Sequence, residues 1–499
     1  MAERKPRILL IQPPFYRLFK DRYSLSKYPL WMGYLAGSIL RGTNWSVMAY
    51  NSDFTPESEN VRVSHLAGPG FRNYLENIKR PSAEVWAEIR RTIAEYSPAV
   101  VGISATSASF ASARLVASLA KAVNGQTLVV MGGPHPSSVG AQVLAYPEID
   151  ICVKGEGENT IVELLDAVAN GNTFEGIRGI TYREGGRVVE NAPRELISDL
   201  DSLSFPHESA PQVLKDYDRY ARTAFQYIFA TRGCPYNCAF CGSRNIWTRK
   251  VRFRSPENVV KEIQALLKKG LRAVHFDDDT FGVKRPYIGA LCNALAAHCP
   301  GVRWSCEMPV KLVDEQTIGL MKAAGCYSVF LGVESGSNEI LRQVRKNITI
   351  EEALSASRLI KRHGIAVEAF FMVGFPQETK ETLNETYTAM KKIGADRLVY
   401  SIFTPYPGTE MFDLLRQKGL IGDDYDVSLY NHHSPANCFS VQIDPATFRR
   451  VASRIERMVD RKNFVHHVRR LFSVNTIWRV RQLGVTSSLR KGARILLGK

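Results

Sequence analysis

Two series of short apolar segments, each segment followed by a stretch with helical spacing, constrain this chain of 499 residues more than any other feature. The first series places strands at 7–11, 45–50, 99–104, 127–131 and 149–154, with helices at 30–41, 82–96, 108–123 and 158–169. Short apolar strands that alternate with amphipathic helices must be buried on both faces. A doubly wound parallel sheet satisfies that requirement. The second series places strands at 227–231, 273–276, 302–307, 328–332, 366–373 and 397–403, with helices at 256–269, 285–298, 314–324, 337–345, 350–363 and 380–393. Six such repeats suit a partial (β/α)6 TIM barrel better than a closed eight-fold one.

The fold class expected is therefore α/β, in four parts. Residues 5–170 form a Rossmann-like domain, and 171–224 a hairpin around Glu184-Gly185-Gly186 followed by a Pro/Ser/Asp-rich linker. Residues 225–442 form the barrel, and 443–499 a mainly helical C-terminal extension. In both α/β parts ligands belong at the carboxyl ends of the strands.

The first barrel strand leads into Thr231-Arg-Gly-Cys234-Pro-Tyr-Asn-Cys238-Ala-Phe240-Cys241, so three of nine cysteines fall within eight residues. An odd number of cysteines in a long chain argues against a disulfide framework, and buried thiols account for most of the other six. Zinc sites pair two Cys/His halves, and no second half follows. Spacing of C-x3-C-x2-C suits thiolates around an iron–sulfur cubane, and three ligands leave one iron open for a small molecule.

This segment resembles the radical S-adenosylmethionine (SAM) superfamily, with Phe240 as the aromatic residue before the last cysteine. The resemblance implies a [4Fe–4S] cluster on Cys234, Cys238 and Cys241, and SAM cleaved to methionine and a 5′-deoxyadenosyl radical. It also implies SAM contacts by Phe240, by Asp277 and Asp279 after the second strand, by Glu334 and Ser335 after the fourth, and by Gly374 after the fifth. Where family members carry Gly-Gly-Glu, this chain has Asp277-Asp278-Asp279-Thr280. That acidic trio fits the SAM ammonium, a divalent cation or a structural cap. Tyr406-Pro407-Gly408-Thr409 resembles the loop after the sixth strand and is equally a plain turn.

The first series carries small-residue loops at three strand ends: Val101-Gly-Ile-Ser104-x-Thr106, Gly132-Gly133-Pro134-His135 and Lys154-Gly155-Glu156-Gly157. Such loops let a backbone approach a bulky ligand. Together with the barrel they resemble the cobalamin-binding-domain radical SAM family, of the class B methyltransferase and anaerobic cyclase type. The resemblance implies cobalamin held by Ser104, Thr106, Gly132, Gly133, His135, Gly155 and Glu156. The loop after the first strand, 12–20, has no histidine to place under cobalt. His135 fits a structural or nucleotide-tail role better than cobalt ligation.

The expected function is methyl transfer to an unactivated carbon or to phosphorus of a small-molecule or lipid-like substrate, through a 5′-deoxyadenosyl radical and methylcobalamin. The rivals are a cyclase or rearrangement enzyme using the same cofactors, and a non-catalytic cobalamin or redox sensor. Tyr400, Tyr406, His432 and His433 are the pocket candidates for substrate; no side chain is assigned as catalytic. A flavodoxin- or ferredoxin-type electron donor is the implied partner.

The net charge of +16 is concentrated at one end: residues 443–499 hold fourteen Lys/Arg against three Asp/Glu. Basic and apolar residues alternate at helical spacing over 464–472, 477–483 and 488–499, which suits peripheral contact with anionic lipid and equally a solvated helical cap. Nucleic-acid reading motifs are missing from the sequence. The N-terminal apolar run 8–11 is too short for a signal-peptide core, and the chain is expected in the cytoplasm, with peripheral contact at the inner membrane face.

Overall fold

A computed structural model describes residues 5–56 and 58–471. The first series forms one seven-stranded sheet. Strands β1 (Arg7–Gln12), β2 (Ser46–Asn51), β3 (Val100–Ser104), β4 (Leu128–Gly132) and β5 (Ile151–Val153) are parallel in the order 2-1-3-4-5. The hairpin β6 (Ile180–Glu184) and β7 (Arg187–Glu190) continues the sheet antiparallel to β5. The segment that reads in sequence as a separate texture is thus partly the edge of the first sheet.

Alternation along β1 sorts its side chains between two cores. Ile8 and Leu10 pack with helices Leu30–Gly42 and Glu158–Asn170, whereas Leu9 and Ile11 pack with Glu84–Tyr96 and Phe110–Val123. Burying such a side chain contributes about 1.5–3 kcal/mol. The strand order reverses between β1 and β3, which opens a crevice at their carboxyl ends.

The second series begins at β8 (Tyr227–Ile228), interrupted by a small antiparallel pair, β9 (Thr231–Arg232) and β10 (Arg252–Phe253). It continues with β11 (Ala273–Phe276), β12 (Arg303–Pro309), β13 (Cys326–Glu334), β14 (Ala366–Val373) and β15 (Arg397–Ile402). The six strands β8 and β11–β15 are all parallel and neighbours in chain order. The expected strand 227–231 is therefore shorter. The buried Asp278 carboxylate accepts from Ala230 N (3.2 Å), Thr231 Oγ1 (2.5 Å) and Thr231 N, and this turns the chain out of the sheet. Outward-facing Val274, Phe276, Trp304, Val329 and Val367 share the core with the surrounding helices. The alternate positions His275, Ser305, Glu307 and Phe330 consequently face the barrel interior.

Strand β15 is an edge with unpaired backbone groups. Helix Pro445–Leu471 covers it: Asn463 accepts from Leu398 N (3.0 Å) and donates to Leu398 O (2.8 Å). Capping an edge in this way removes a template for unwanted pairing. The same helix reaches the first domain, where Asp460 accepts from Val63 N (2.8 Å) and Ser64 Oγ (2.5 Å). The tail stretches 477–483 and 488–499, and position 472, lie outside the described residues.

Candidate active site between the two sheets

The two sheets present their carboxyl ends to one another across a cavity of about 920 Å³. This lies at the upper end of the range for ligand sites, about 300–1,000 Å³. From the first domain come Gln12, Ser104, Thr106, Gly132, Gly133, Gly155 and Glu156; from the barrel come Arg232, Cys241, Asp277, Asp279 and Tyr406. Trp31, Tyr34, Phe229 and Trp247 form aromatic walls between them.

Buried ion pairs fix how the halves meet. Arg232, two residues before Cys234, donates to Glu156 (2.6 Å) and Glu158 (2.7 Å). Arg252 on the adjoining strand donates to the other oxygen of Glu156 (2.7 Å), and all four side chains are at most 7% exposed. Removing one partner of such a group strands a buried charge and costs about 3–5 kcal/mol. Glu156 was expected to bind cobalamin. Its carboxylate is instead committed to these arginines and to Ile197 N (2.7 Å). Only its backbone remains for a ligand.

The cysteine loop leaves β9 through Gly233, at φ +110°, where an added Cβ would lie 2.3 Å from Lys250 O. No other residue type fits there, so the hairpin holds the loop at a fixed entry angle. The loop is clamped further on: Ala239 N donates to Val344 O (3.0 Å), and Met411 N donates to Ala239 O (3.0 Å). Burial raises the pKa of Cys238 and Cys241, and the neighbouring thiols Cys234 and Cys238 lie near enough to add to it. The remaining cysteines are dispersed: 152, 292, 299, 306 and 326 are buried, and 438 is half-buried. Three adjacent sulfurs without a fourth fit a cubane with one open iron.

Around this loop, Glu334 (φ +73°, at a register shift in β13) pairs with Lys346 at 2.8 Å. Burial opposes the Lys346 charge, but Glu334 and Cys238 raise its pKa overall. Phe240 packs on Phe375 with centroids 5.8 Å apart. Gly374 N donates to Glu378 (2.5 Å), a fully buried carboxyl that burial pushes up to about 8. Ser335 departs from expectation. Its hydroxyl is buried against Thr386 Oγ1 (3.1 Å) and accepts from Ser337 N, so this side chain faces the helix behind the barrel.

The acidic trio divides. Asp278 is the structural cap, its carboxyl pushed up to about 7 by burial. Asp277 pairs with Lys27, which enters from the first domain (2.6 Å). Asp279 lines the cavity, and burial raises its pKa. The three do not converge as one cation site. A different group does: His275, Asp277 and Glu307 have ligand atoms within 4.8 Å of one another. Ser305 Oγ is 2.8 Å from His275 Nδ1, and the Lys27 ammonium already neutralises Asp277. Burial pushes Glu307 up to about 7. Sequence reading missed Lys27, His275, Glu307 and Lys346. Strand alternation would have found His275 and Glu307; nothing local marks Lys27.

In the first domain, Ser104, Thr106, Gly132, Gly133 and Gly155 all line the cavity. Gly133 has φ +100°, and an added Cβ would stand 2.6 Å from Ser104 Oγ, so only glycine fits this turn; an added Cβ at Gly155, by contrast, would meet no protein atom within 4 Å. His135 does not line the cavity. Its Nδ1 is 3.0 Å from Ser107 Oγ, its ring packs 4.1 Å from Phe110, and burial lowers its pKa to about 4. It is a neutral packing residue. Of the pocket candidates, Tyr406 and His432 reach the cavity and contact one another (3.3 Å), whereas Tyr400 and His433 are buried in the protein.

Comparison with known proteins follows the same division. The model of the Radical SAM superfamily matches residues 228–390, and that of the B12 binding domain matches 64–165. An uncharacterised methyltransferase of Pyrococcus horikoshii is 33% identical over 373 residues, 72% of this chain and 80% of that protein. The anaerobic magnesium-protoporphyrin IX monomethyl ester cyclase of Rubrivivax gelatinosus is 29% identical over 453 residues, 88% of this chain and 75% of its own. Among solved structures, the radical SAM methyltransferase TsrM of Kitasatospora setae superposes with a TM-score of 0.65 at 19% identity, covering 84% of this chain and 77% of that one.

Proposed function

The chain belongs to the radical SAM enzymes that carry an N-terminal B12-binding domain, and from that premise we propose that it is a cobalamin-dependent methyltransferase acting on an unactivated carbon or phosphorus centre. The single observation that carries the reading is the shared cavity. One wall is made of glycine loops that suit a large macrocycle, and the facing wall carries a three-cysteine loop. Cys234, Cys238 and Cys241 would hold the cluster, and Phe240, Asp279, Glu334 and the Gly374 backbone would hold SAM. Ser104, Thr106, Gly132, Gly133 and Gly155 would hold cobalamin. When bound, these groups supply radical generation and a transferable methyl.

The chain's own residues position and exclude. Arg232 ties the loop to Glu156 and Glu158, so the distance between the two walls is set by buried ion pairs rather than by a flexible hinge. Trp31, Tyr34, Phe229 and Trp247 line the space between with aromatic rings, an apolar surrounding of the kind that protects a radical from water. Gln12 orients Trp31 through its indole N–H (2.8 Å). The first domain is taken to run past 170 through the hairpin that ends at Glu190, with 224 and 442 kept as the further boundaries.

Anaerobic reconstitution with iron, sulfide and hydroxocobalamin, then SAM and a reductant, tests the reading. S-adenosylhomocysteine together with 5′-deoxyadenosine supports methyl transfer. The similarity to the cyclase over most of the chain favours a second reading, which predicts 5′-deoxyadenosine alone. Absence of both products would return the protein to the sensor class.

No helix among the described residues is long and apolar enough to cross a membrane. The exposed Phe464 and Val465, on a helix carrying Arg461, Lys462 and Arg469, support peripheral contact with anionic lipid. Flotation with phosphatidylglycerol vesicles, lost on deleting 464–499, is the expected result; no flotation of the full chain removes the idea.

A further inference from the structure

We infer that the outer flank of the cysteine loop is the docking face for an acidic one-electron carrier protein, with Arg249 and Lys250 at its centre and Arg342 and Arg345 beside them. The inference rests on the cluster reading above and names the surface through which that centre is reduced.

The barrel mouth is closed to a protein-sized donor, because the first sheet covers it and buried ion pairs hold it there. An electron must therefore enter from the other side of the loop. Pro235 is exposed there, and Arg249 donates to Asn237 (2.5 Å), which places that guanidinium on the back of the cysteine segment. Charge along the segment is one-sided. From Thr231 to Pro256 there are six Lys/Arg and no Asp/Glu. Three of the six, Arg232, Arg252 and Arg254, are buried and neutralised by Glu156, Glu158 and Glu262. Arg249 and Lys250 are exposed and have no carboxylate partner among the described residues. The same loop is hydrogen-bonded to Val344, so the 75%-exposed Arg342 of the neighbouring helix Asn338–Gln343 and Arg345 just beyond its end flank it, paired with Glu339 and Glu410.

The fold needs none of the uncompensated charge at 249 and 250. Electron-transfer complexes are small and transient, and steering by opposite charge sets their rates. A basic rim beside a redox centre therefore suits an acidic carrier. In the step itself one electron leaves the carrier and one enters the cluster.

Binding of an acidic flavodoxin to the full chain, measured by calorimetry, and electron paramagnetic resonance of the cluster test the inference. Affinity should fall as salt rises from about 20 to 300 mM, because screening shortens the reach of surface charge. Arg249→Glu with Lys250→Glu should weaken binding about tenfold or more and slow flavodoxin-driven reduction comparably. Reduction by methyl viologen, a small cation, should not slow in the same variant. Unchanged flavodoxin binding, salt-independent binding of the parent, or equal loss with both donors would overturn the assignment. A failure of the cluster reading is distinguishable, since the parent would then lack the iron–sulfur signal with either donor.

Discussion

The two walls of the cavity are built on different principles. The barrel wall works through side chains: three thiols, a half-buried Glu334–Lys346 pair and an aromatic contact at Phe240. The wall from the first domain works through what is missing, with Gly133 and Gly155 leaving backbone exposed to a ligand and His135 turned away from it. Chemistry made from functional groups is lost when a group is deleted, whereas a site made from space is lost when a group is added. Arg232 joins the two walls, lying in the barrel but answering to carboxylates of the first domain.

Replacing Cys234, Cys238 and Cys241 by alanine should have the largest effect. Iron content and SAM cleavage should fall to background while cobalamin binding persists, read by iron assay and absorbance; a variant that keeps a cubane and turns over refutes the proposal. Arg232→Met should come next, since it strands the buried Glu158 and leaves Glu156 to Arg252 alone, and it should lower stability by about 3–5 kcal/mol, seen as a drop in urea midpoint. If the loss is below about 1 kcal/mol, the ion pairs do not set the spacing of the walls.

Gly155→Asn should do the converse of the cysteine variant, since a side chain added at this cavity-lining position meets no protein atom within 4 Å and asparagine tolerates the local φ of +75°. Cobalamin affinity should drop about tenfold or more, about 1.4 kcal/mol, with iron content intact, by equilibrium dialysis. Glu378 gives a pH test. Its pKa, raised to about 8 from an ordinary carboxyl value near 4.5, means the folded state binds the extra proton between those values. Its contribution to stability is full below about pH 4.5 and lost as pH rises to about 8. Glu378→Gln should flatten the fall in urea midpoint between pH 5.5 and 8; an unchanged slope would assign the dependence elsewhere. The smallest effect is expected of His135→Gln, where cobalamin affinity should stay within about twofold, because the ring packs on Phe110 outside the cavity. A large loss there would return His135 to the ligand set.

Strand and helix order, the two α/β units and the cysteine loop were readable because each depends on local spacing: apolar periods of two and 3.6, and thiols three and four positions apart. The glycine loops were readable as a class, since small residues at strand ends permit close backbone approach. Roles that depend on partners distant in sequence were not. Glu156 looked like a ligand until Arg232 and Arg252, 76 and 96 positions away, claimed its oxygens. The three adjacent aspartates looked equivalent, yet one caps Thr231 and two line the cavity, one of them tied to Lys27 from 250 positions away. Ser335 and His135 sat in the expected loops but turned inward, because a hydroxyl and an imidazole near a core are held by whichever partner burial supplies. Local pattern thus determined which elements form and where thiols cluster; packing between the two sheets decided which polar groups remain free to meet a ligand, since a buried charge must be paired and its partner is chosen in three dimensions.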